Sequence, residues 1–222
     1  EQEEIRTHYY HRQQKHISLE EARRRAPRFN WNNVQPTTFG EHNLLVKHLN
    51  IEDLVERIDW TPFFHFWGFK GKYPEIVYTN DEADRTYQAA LDMLGKVIAG
   101  NEFDASIIVR FFDACSENDE IVLDGKFRFP MPRQQADLQE CISLADFVIP
   151  KEKGTGSVGL FCLKVSDKHK CNDCRDFEHL LRESLCARLT EACAEWMQEQ
   201  INEGTRVIRP AFGYPSCPDH AL

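Results

Sequence analysis

The sequence predicts an α+β chain: a twisted, largely antiparallel sheet with long flanking helices, in a single domain preceded by an N-terminal helical arm. Three observations predict it. Residues 80–100 and 175–202 carry apolar side chains at helical spacing. Between them, runs rich in β-branched and aromatic residues alternate with turn signals. The sharpest signal is Asp124-Gly125, a pair that tolerates the positive φ of a tight hairpin. The strands follow one another without strict β-α-β alternation, which favours antiparallel pairing. The arm takes residues 1–43 and the domain residues 44–222.

Each element has a local reason. Residues 3–16 are polar and charged, with Ile5, Tyr9 and Tyr10, and read as a lightly docked helix. Ser18-Leu-Glu-Glu21 reads as a capping box. The Ser oxygen accepts an orphan N–H of the first turn, and Glu21 reaches back to the Ser18 N–H. A short basic helix follows, and Pro27 ends it. Residues 28–43 have no period. Their aromatics (Phe29, Trp31, Phe39) suggest an arm draped on the domain.

Residues 44–49 form a strand candidate, and 51–58 a helical turn or two with Leu54, Val55 and Ile58 on one side. Pro62 starts a core helix carrying Phe63, Phe64, Phe66 and Trp67, with Asp59 or Thr61 as its cap. Asn80 caps the 80–100 helix, Gly100 follows it, and Ala83, Tyr87, Ala90, Leu91, Leu94, Val97 and Ile98 make its buried stripe. Strands are expected at 105–112, 120–123, 126–129, 144–149 and 158–165. The last long helix buries Phe177, Leu180, Leu181, Leu185, Leu189, Ala192, Cys193 and Trp196.

The totals exclude some functions. With 27 basic and 36 acidic residues the net charge is −9, which argues against a general nucleic-acid or anionic-membrane binder. No apolar run approaches a membrane span, so neither nucleic acid nor membrane is expected as a partner. Cys115, Cys141, Cys162, Cys186 and Cys193 sit in apolar or helical surroundings and read as buried free thiols of a reducing, cytoplasmic compartment. Cys171-Asn-Asp-Cys174 is a lone CxxC. It reads as incidental loop cysteines, with half a metal site or a redox pair as the alternative; only His169 lies near, and no metal is expected. The chain has no initiating Met and stops inside a motif-like loop, so it is expected to be a piece of a longer polypeptide.

Three places could carry chemistry. Residues 207–221 hold three prolines and one glycine, which makes a shaped loop rather than a helix or central strand. That loop carries Arg209, Tyr214, Asp219 and His220. A guanidinium on a rigid loop suits a small carboxylate, because its planar fork makes two parallel hydrogen bonds. The plainer alternative is a surface turn with a solvated Arg. Asp59 heads a dense aromatic stretch, where an acid can receive a ligand ammonium as well as cap a helix. Glu191 and Glu195 lie one turn apart and read as solvated helix surface.

The motifs Ile58-Asp-Trp-Thr-Pro-Phe-Phe64 with Trp67, Gly71, Tyr73 and Pro74, and Ile208-Arg-Pro-Ala-Phe-Gly-Tyr-Pro215 with Cys217 and Asp219-His220, resemble the C-terminal activation domain of cobalamin-dependent methionine synthase. Residues 18–23, 133–135, 144–148 and 189–195 resemble its lead-in and middle, so the resemblance covers nearly the whole chain. It implies a module of a methyltransferase (5-methyltetrahydrofolate–homocysteine S-methyltransferase). This module binds S-adenosylmethionine for reductive methylation of cob(II)alamin to methylcobalamin. The cobalamin is held by a neighbouring module of the same protein, and a flavodoxin-type donor supplies an electron. By the same resemblance Arg209 would hold the ligand carboxylate, Asp59 the ammonium and Glu191 would lie near, with the backbone around Ala211 and Tyr214 lining the pocket. No catalytic residue is expected in the module itself.

Two departures from the family pattern are visible. The stretch between the last helix and the Arg-Pro loop is short, and the chain ends at Leu222 where the family continues. The fragment is therefore expected to be C-terminally truncated and catalytically incomplete alone. Two alternatives stay open: a non-catalytic domain that docks a corrinoid protein without methyl donation, and a small metal or redox domain built on Cys171 and Cys174. Since flavodoxins are themselves acidic, local basic patches such as Arg23-Arg-Arg25 would have to attract the donor.

Overall fold

A computed structural model describes residues 16–32, 44–169, 176–202 and 207–210. The helix expected over residues 3–16 and the Cys171–Cys174 motif lie outside the described residues. The chain forms two compact units, one of Glu1–Thr38, Phe111–Gly159 and Ile208–Leu222, the other of Phe39–Arg110 and Leu160–Val207. Five strands join in one sheet: β1 (Leu44–Leu49), β2 (Phe103–Glu117), β3 (Glu120–Leu123), β4 (Phe127–Pro130) and β5 (Gly156–Asp167). The order is β1-β2-β3-β4, with β5 also paired to β2, and the pairings of β1 with β2, β2 with β3 and β3 with β4 are antiparallel. The predicted α+β class is what the chain adopts.

In the Phe39–Arg110 and Leu160–Val207 unit, β1 pairs with the first half of β2 from Leu44↔Arg110 to Leu49↔Ala105. Alternate β2 residues (Phe103, Ala105, Ile107, Val109) are buried, as a period of two requires. A 3-10 turn, Ile51–Arg57, follows β1 and buries Ile51 and Leu54. Helices α2 (Thr61–Phe66) and α3 (Glu75–Thr79) lead to α4 (Asp81–Gly100). Asn80 caps α4 by accepting from the amides of Glu82 and Ala83, each at 3.0 Å. The end falls one residue later than expected: Gly100 is helical and Asn101 takes the left-handed turn at φ 48°. Leu91 is exposed rather than buried, and Met93 takes the inward position, because the stripe runs through Ala83, Thr86, Ala90, Met93, Leu94 and Val97.

Helix α5 (Phe177–Asn202) packs against the 3-10 turn, α2 and α4. Leu181, Leu185, Leu189, Ala192, Cys193 and Trp196 are buried as predicted. Phe177 is exposed at 51% and lies on Trp67, with ring centroids 5.2 Å apart. The helix also buries an arginine. Arg182 grips Asp167 through two hydrogen bonds (2.6 and 2.7 Å) and Glu102 through one (2.7 Å), over the ring of Phe103.

In the other unit, β2 turns through Asn118 into β3, and β3 turns through Asp124 and Gly125 into β4. Asp124 and Gly125 both have positive φ (49° and 66°), the hairpin that the Asp-Gly pair predicts. Ala114, Ile121, Leu123, Ala145 and Val148 form this unit's core. Helix α1 (Leu19–Arg24) starts at Ser18, whose oxygen accepts from the Glu21 amide at 3.2 Å. The reciprocal half of the capping box is replaced: the Glu21 carboxylate accepts from Arg25 at 2.8 Å. Phe29 packs on Trp31 and Phe147, as a draped arm would.

The strand expected over 144–149 is instead a 3-10 turn, Leu144–Phe147. Ser143 and Asp146 form a capping box there, and Arg133 fixes Asp146 with two bonds of 2.7 and 2.6 Å. A satisfied turn defeats the local β pattern.

Candidate ligand-binding site

Asp59 lies between the 3-10 turn and α2, and it is exposed. Its Oδ1 accepts from the Thr61 amide at 3.0 Å, so the acid takes up an orphan N–H of α2 as one sequence reading expected. That is the carboxylate's only hydrogen bond among the described residues. The next residue, Trp60, is an anchor. It is buried, with its ring edge-on to Phe63 at 5.4 Å and to Tyr87 at 4.9 Å. Phe63 and Phe64 are fully buried.

The loop after α2 returns to this motif. The Tyr73 amide donates to Thr61 Oγ1 at 3.2 Å, the Tyr73 ring stacks on Phe64, and its hydroxyl lies 3.2 Å from that of Tyr87. Burial, reinforced by that hydroxyl pair, pushes Tyr87 up to about 12. Gly71 lies where a Cβ would come within 3.1 Å of the Ile76 side chain, at φ 152°. Of Phe63, Phe64, Phe66 and Trp67, all expected in the core, Phe66 is 52% exposed and Trp67, just after α2, is half-buried. A helix this short has one buried face, and Phe63 and Phe64 fill it.

Glu191 and Glu195 are exposed on α5, the surface position the plainer sequence reading gave them. Arg209 is half-buried in the short segment 207–210. Two residues before it, the carbonyl of Val207 accepts from Gln198 Nε2 of α5 at 2.7 Å. Asp59 and Glu191 belong to one compact unit and Arg209 to the other. Ala211 and Tyr214 lie outside the described residues.

Neither of two hollows found among the described residues contains a predicted site residue. One of about 300 Å³ is lined by Phe29, Trp31, Glu117, Asp146 and Val148 among others. The second, an open groove of about 510 Å³, lies between Lys47, Glu56, Arg57 and Trp196, with the Lys47 ammonium 4.5 Å from the Trp196 ring centre.

The Arg23-Arg-Arg25 patch is matched by acids: Arg23 pairs with Asp119, Arg24 with Glu21, and Arg25 with Glu21 and Asp137. Its charge is therefore largely spent within its own unit. Sequence reasoning missed two buried arginines, Arg133 and Arg182. Nothing in the local sequence marks either one, because their acid partners come from distant positions such as Asp119 and Glu102. Among the described residues no group of His, Cys, Asp and Glu is arranged to hold a metal ion, and no helix is long and apolar enough to cross a membrane. Of the five thiols expected to be buried, Cys141 and Cys193 are, Cys115 and Cys186 are half-buried, and Cys162 is exposed on β5.

A sheet of this order, flanked by these helices, defines a recognisable class. A solved structure described as the MetH reactivation domain bound to AdoHcy superposes with a TM-score of 0.74 at 28% identity, covering 93% of this chain and 75% of that one. The family described as vitamin B12 dependent methionine synthase, activation domain, matches residues 50–206, and the chain belongs to that family. The matched span includes Asp59 and Glu191 and stops three residues before Arg209.

Proposed function

We propose that this chain binds S-adenosylmethionine and presents its methyl group for the reductive methylation of cob(II)alamin, as a module of a methyltransferase. The observation that carries the reading is its likeness to a reactivation domain that holds AdoHcy, the demethylated product of the same ligand. Cob(II)alamin is the substrate, carried by a neighbouring module of the same protein. One electron from a flavodoxin-type donor and the methyl group of the sulfonium yield methylcobalamin; the S–CH₃ bond breaks, the Co–CH₃ bond forms, and AdoHcy is left. The five described cysteines are free thiols, which fits a reducing cytoplasm.

The chain's own part is binding and orientation. Asp59 keeps one carboxylate oxygen for the ligand ammonium while the other holds Thr61. Arg209 takes the α-carboxylate with its planar fork. Glu191 adds a second acid near the amino group, and the backbone at Ala211 and Tyr214 lines the pocket. No acid–base step is needed; holding the methyl donor in line supplies the rate enhancement.

Calorimetric titration of the chain with S-adenosylmethionine, beside the Arg209→Ala variant, tests this. The expected result is saturable binding that the variant weakens by roughly 1.5–3 kcal/mol, the usual range for a hydrogen bond to a charged group. A folded chain that binds no S-adenosylmethionine overturns the reading. If the chain then still docks a corrinoid protein, a non-catalytic docking domain replaces it.

A further inference from the structure

We propose that Thr61 is a positioning residue for the ligand ammonium, setting the carboxylate of Asp59 through the loop that ends at Tyr73. The inference rests on the reading of Asp59 as the ammonium partner. Thr61 does two jobs with two different atoms. Its backbone N–H holds Asp59 Oδ1 at 3.0 Å, and its hydroxyl oxygen accepts from the Tyr73 amide at 3.2 Å. The first bond fixes the carboxylate's rotamer. The second fixes the peptide that makes the first, by tying it to a segment 12 residues away.

That segment is itself held. The Tyr73 ring stacks on the fully buried Phe64, and its hydroxyl meets that of Tyr87 on α4. Tyr87 also receives the Trp60 ring, so Trp60 and Thr61, the two residues after Asp59, are both anchored to one cluster. An exposed carboxylate otherwise samples several rotamers, and ordering it at the moment of binding would weaken the ligand. The Thr61 hydroxyl removes that cost in advance.

The test is a double-mutant cycle on the chain, read as AdoHcy affinity. Thr61→Val keeps the shape and the backbone N–H and deletes only the acceptor. It is expected to weaken AdoHcy about five- to tenfold, and Thr61→Ser is expected to restore it. Asp59→Asn should weaken AdoHcy further, and the Thr61→Val/Asp59→Asn double variant should be no weaker than Asp59→Asn alone. Additive losses overturn the inference, because a merely structural role for Thr61 would lower affinity whether or not Asp59 were present. A Thr61→Val chain that binds AdoHcy normally, or does not fold while Thr61→Ser gains nothing, overturns it too. If Asp59→Asn has no effect, the ammonium reading itself is wrong and Thr61 has nothing to position. An unaltered chain that binds no AdoHcy removes both.

Discussion

Arg133→Met offers the strongest test of how the Glu1–Thr38, Phe111–Gly159 unit is held together. The Arg133 side chain is only 3% exposed, and each of its three nitrogens is hydrogen-bonded. It bonds Asp146 twice (2.7 and 2.6 Å), Asp119 at 2.9 Å, and the Cys141 carbonyl at 2.7 Å. Methionine replaces the apolar stem as far as the Nε position and cannot donate, so the variant leaves two carboxylates and a carbonyl in place without this cation.

Removing one partner of a buried pair costs about 3–5 kcal/mol. The low end applies here, because Asp119 keeps Arg23 at 2.7 Å and Asp146 keeps the Ser143 amide at 2.8 Å. A loss of about 3 kcal/mol, with a urea m-value of about 2 kcal/mol/M, moves the midpoint down by about 1.5 M. Circular dichroism during urea unfolding measures the shift, and hydrogen exchange of peptides from residues 111–159 locates it. Arg133→Lys keeps the charge without the fork and should recover less than half of the loss. A Met variant within about 0.5 kcal/mol of the parent would refute the reasoning, and full rescue by Lys would show that charge alone matters there.

Other perturbations have equally definite outcomes. Burial would raise the Asp167 pKa, but the Arg182 hydrogen bonds outweigh it and hold the carboxyl below its usual range; Arg182 does the same to Glu102. A depressed folded-state pKa means stability that is present above the unfolded pKa and lost as pH falls through the folded one. The urea midpoint should therefore drop below about pH 4, and Arg182→Met should flatten that acid limb. Burial pushes the Cys186 thiol up to about 12 and that of Cys193 up to about 11. Iodoacetamide at pH 8, followed by peptide mass spectrometry, should therefore modify the peptide carrying exposed Cys162 well before those carrying Cys186 or Cys193. Asn80→Ala removes the acceptor for two α4 amides and should cost about 1 kcal/mol in urea unfolding, with Asn80→Asp close to neutral.

What could be read from the sequence was whatever neighbours in the chain decide. Asn80 and the stripe behind it are local, so α4 was visible to within a residue. The Asp124-Gly125 hairpin was visible for the same reason. Residues 144–149 misled because their β-rich composition is local too, while the Arg133 that stabilises the competing turn at Asp146 comes from 13 residues earlier. Arg182 is the extreme case. Its burial depends on Glu102, 80 residues away, and no periodicity carries that information. Phe66 and Phe177 were misplaced because a large apolar residue at a helix end can face outward as easily as inward. In the candidate site, the bond from Asp59 to its own turn was legible, whereas the return of Tyr73 onto Thr61 needed the fold.

Helix α1 has a consequence for how the chain is made. Arg23 meets Asp119 across 96 residues, and Arg25 meets Asp137 across 112. At roughly 5–20 residues per second of synthesis, Arg25 waits on the order of ten seconds for its partner to leave the ribosome. During that interval three adjacent cations face solvent without those distant acids, beside the polyanionic RNA of the machine that is building them. Until then only a local acid offsets them: Glu21 meets Arg24 at 3.2 Å and Arg25 at 2.8 Å, from three and four residues away.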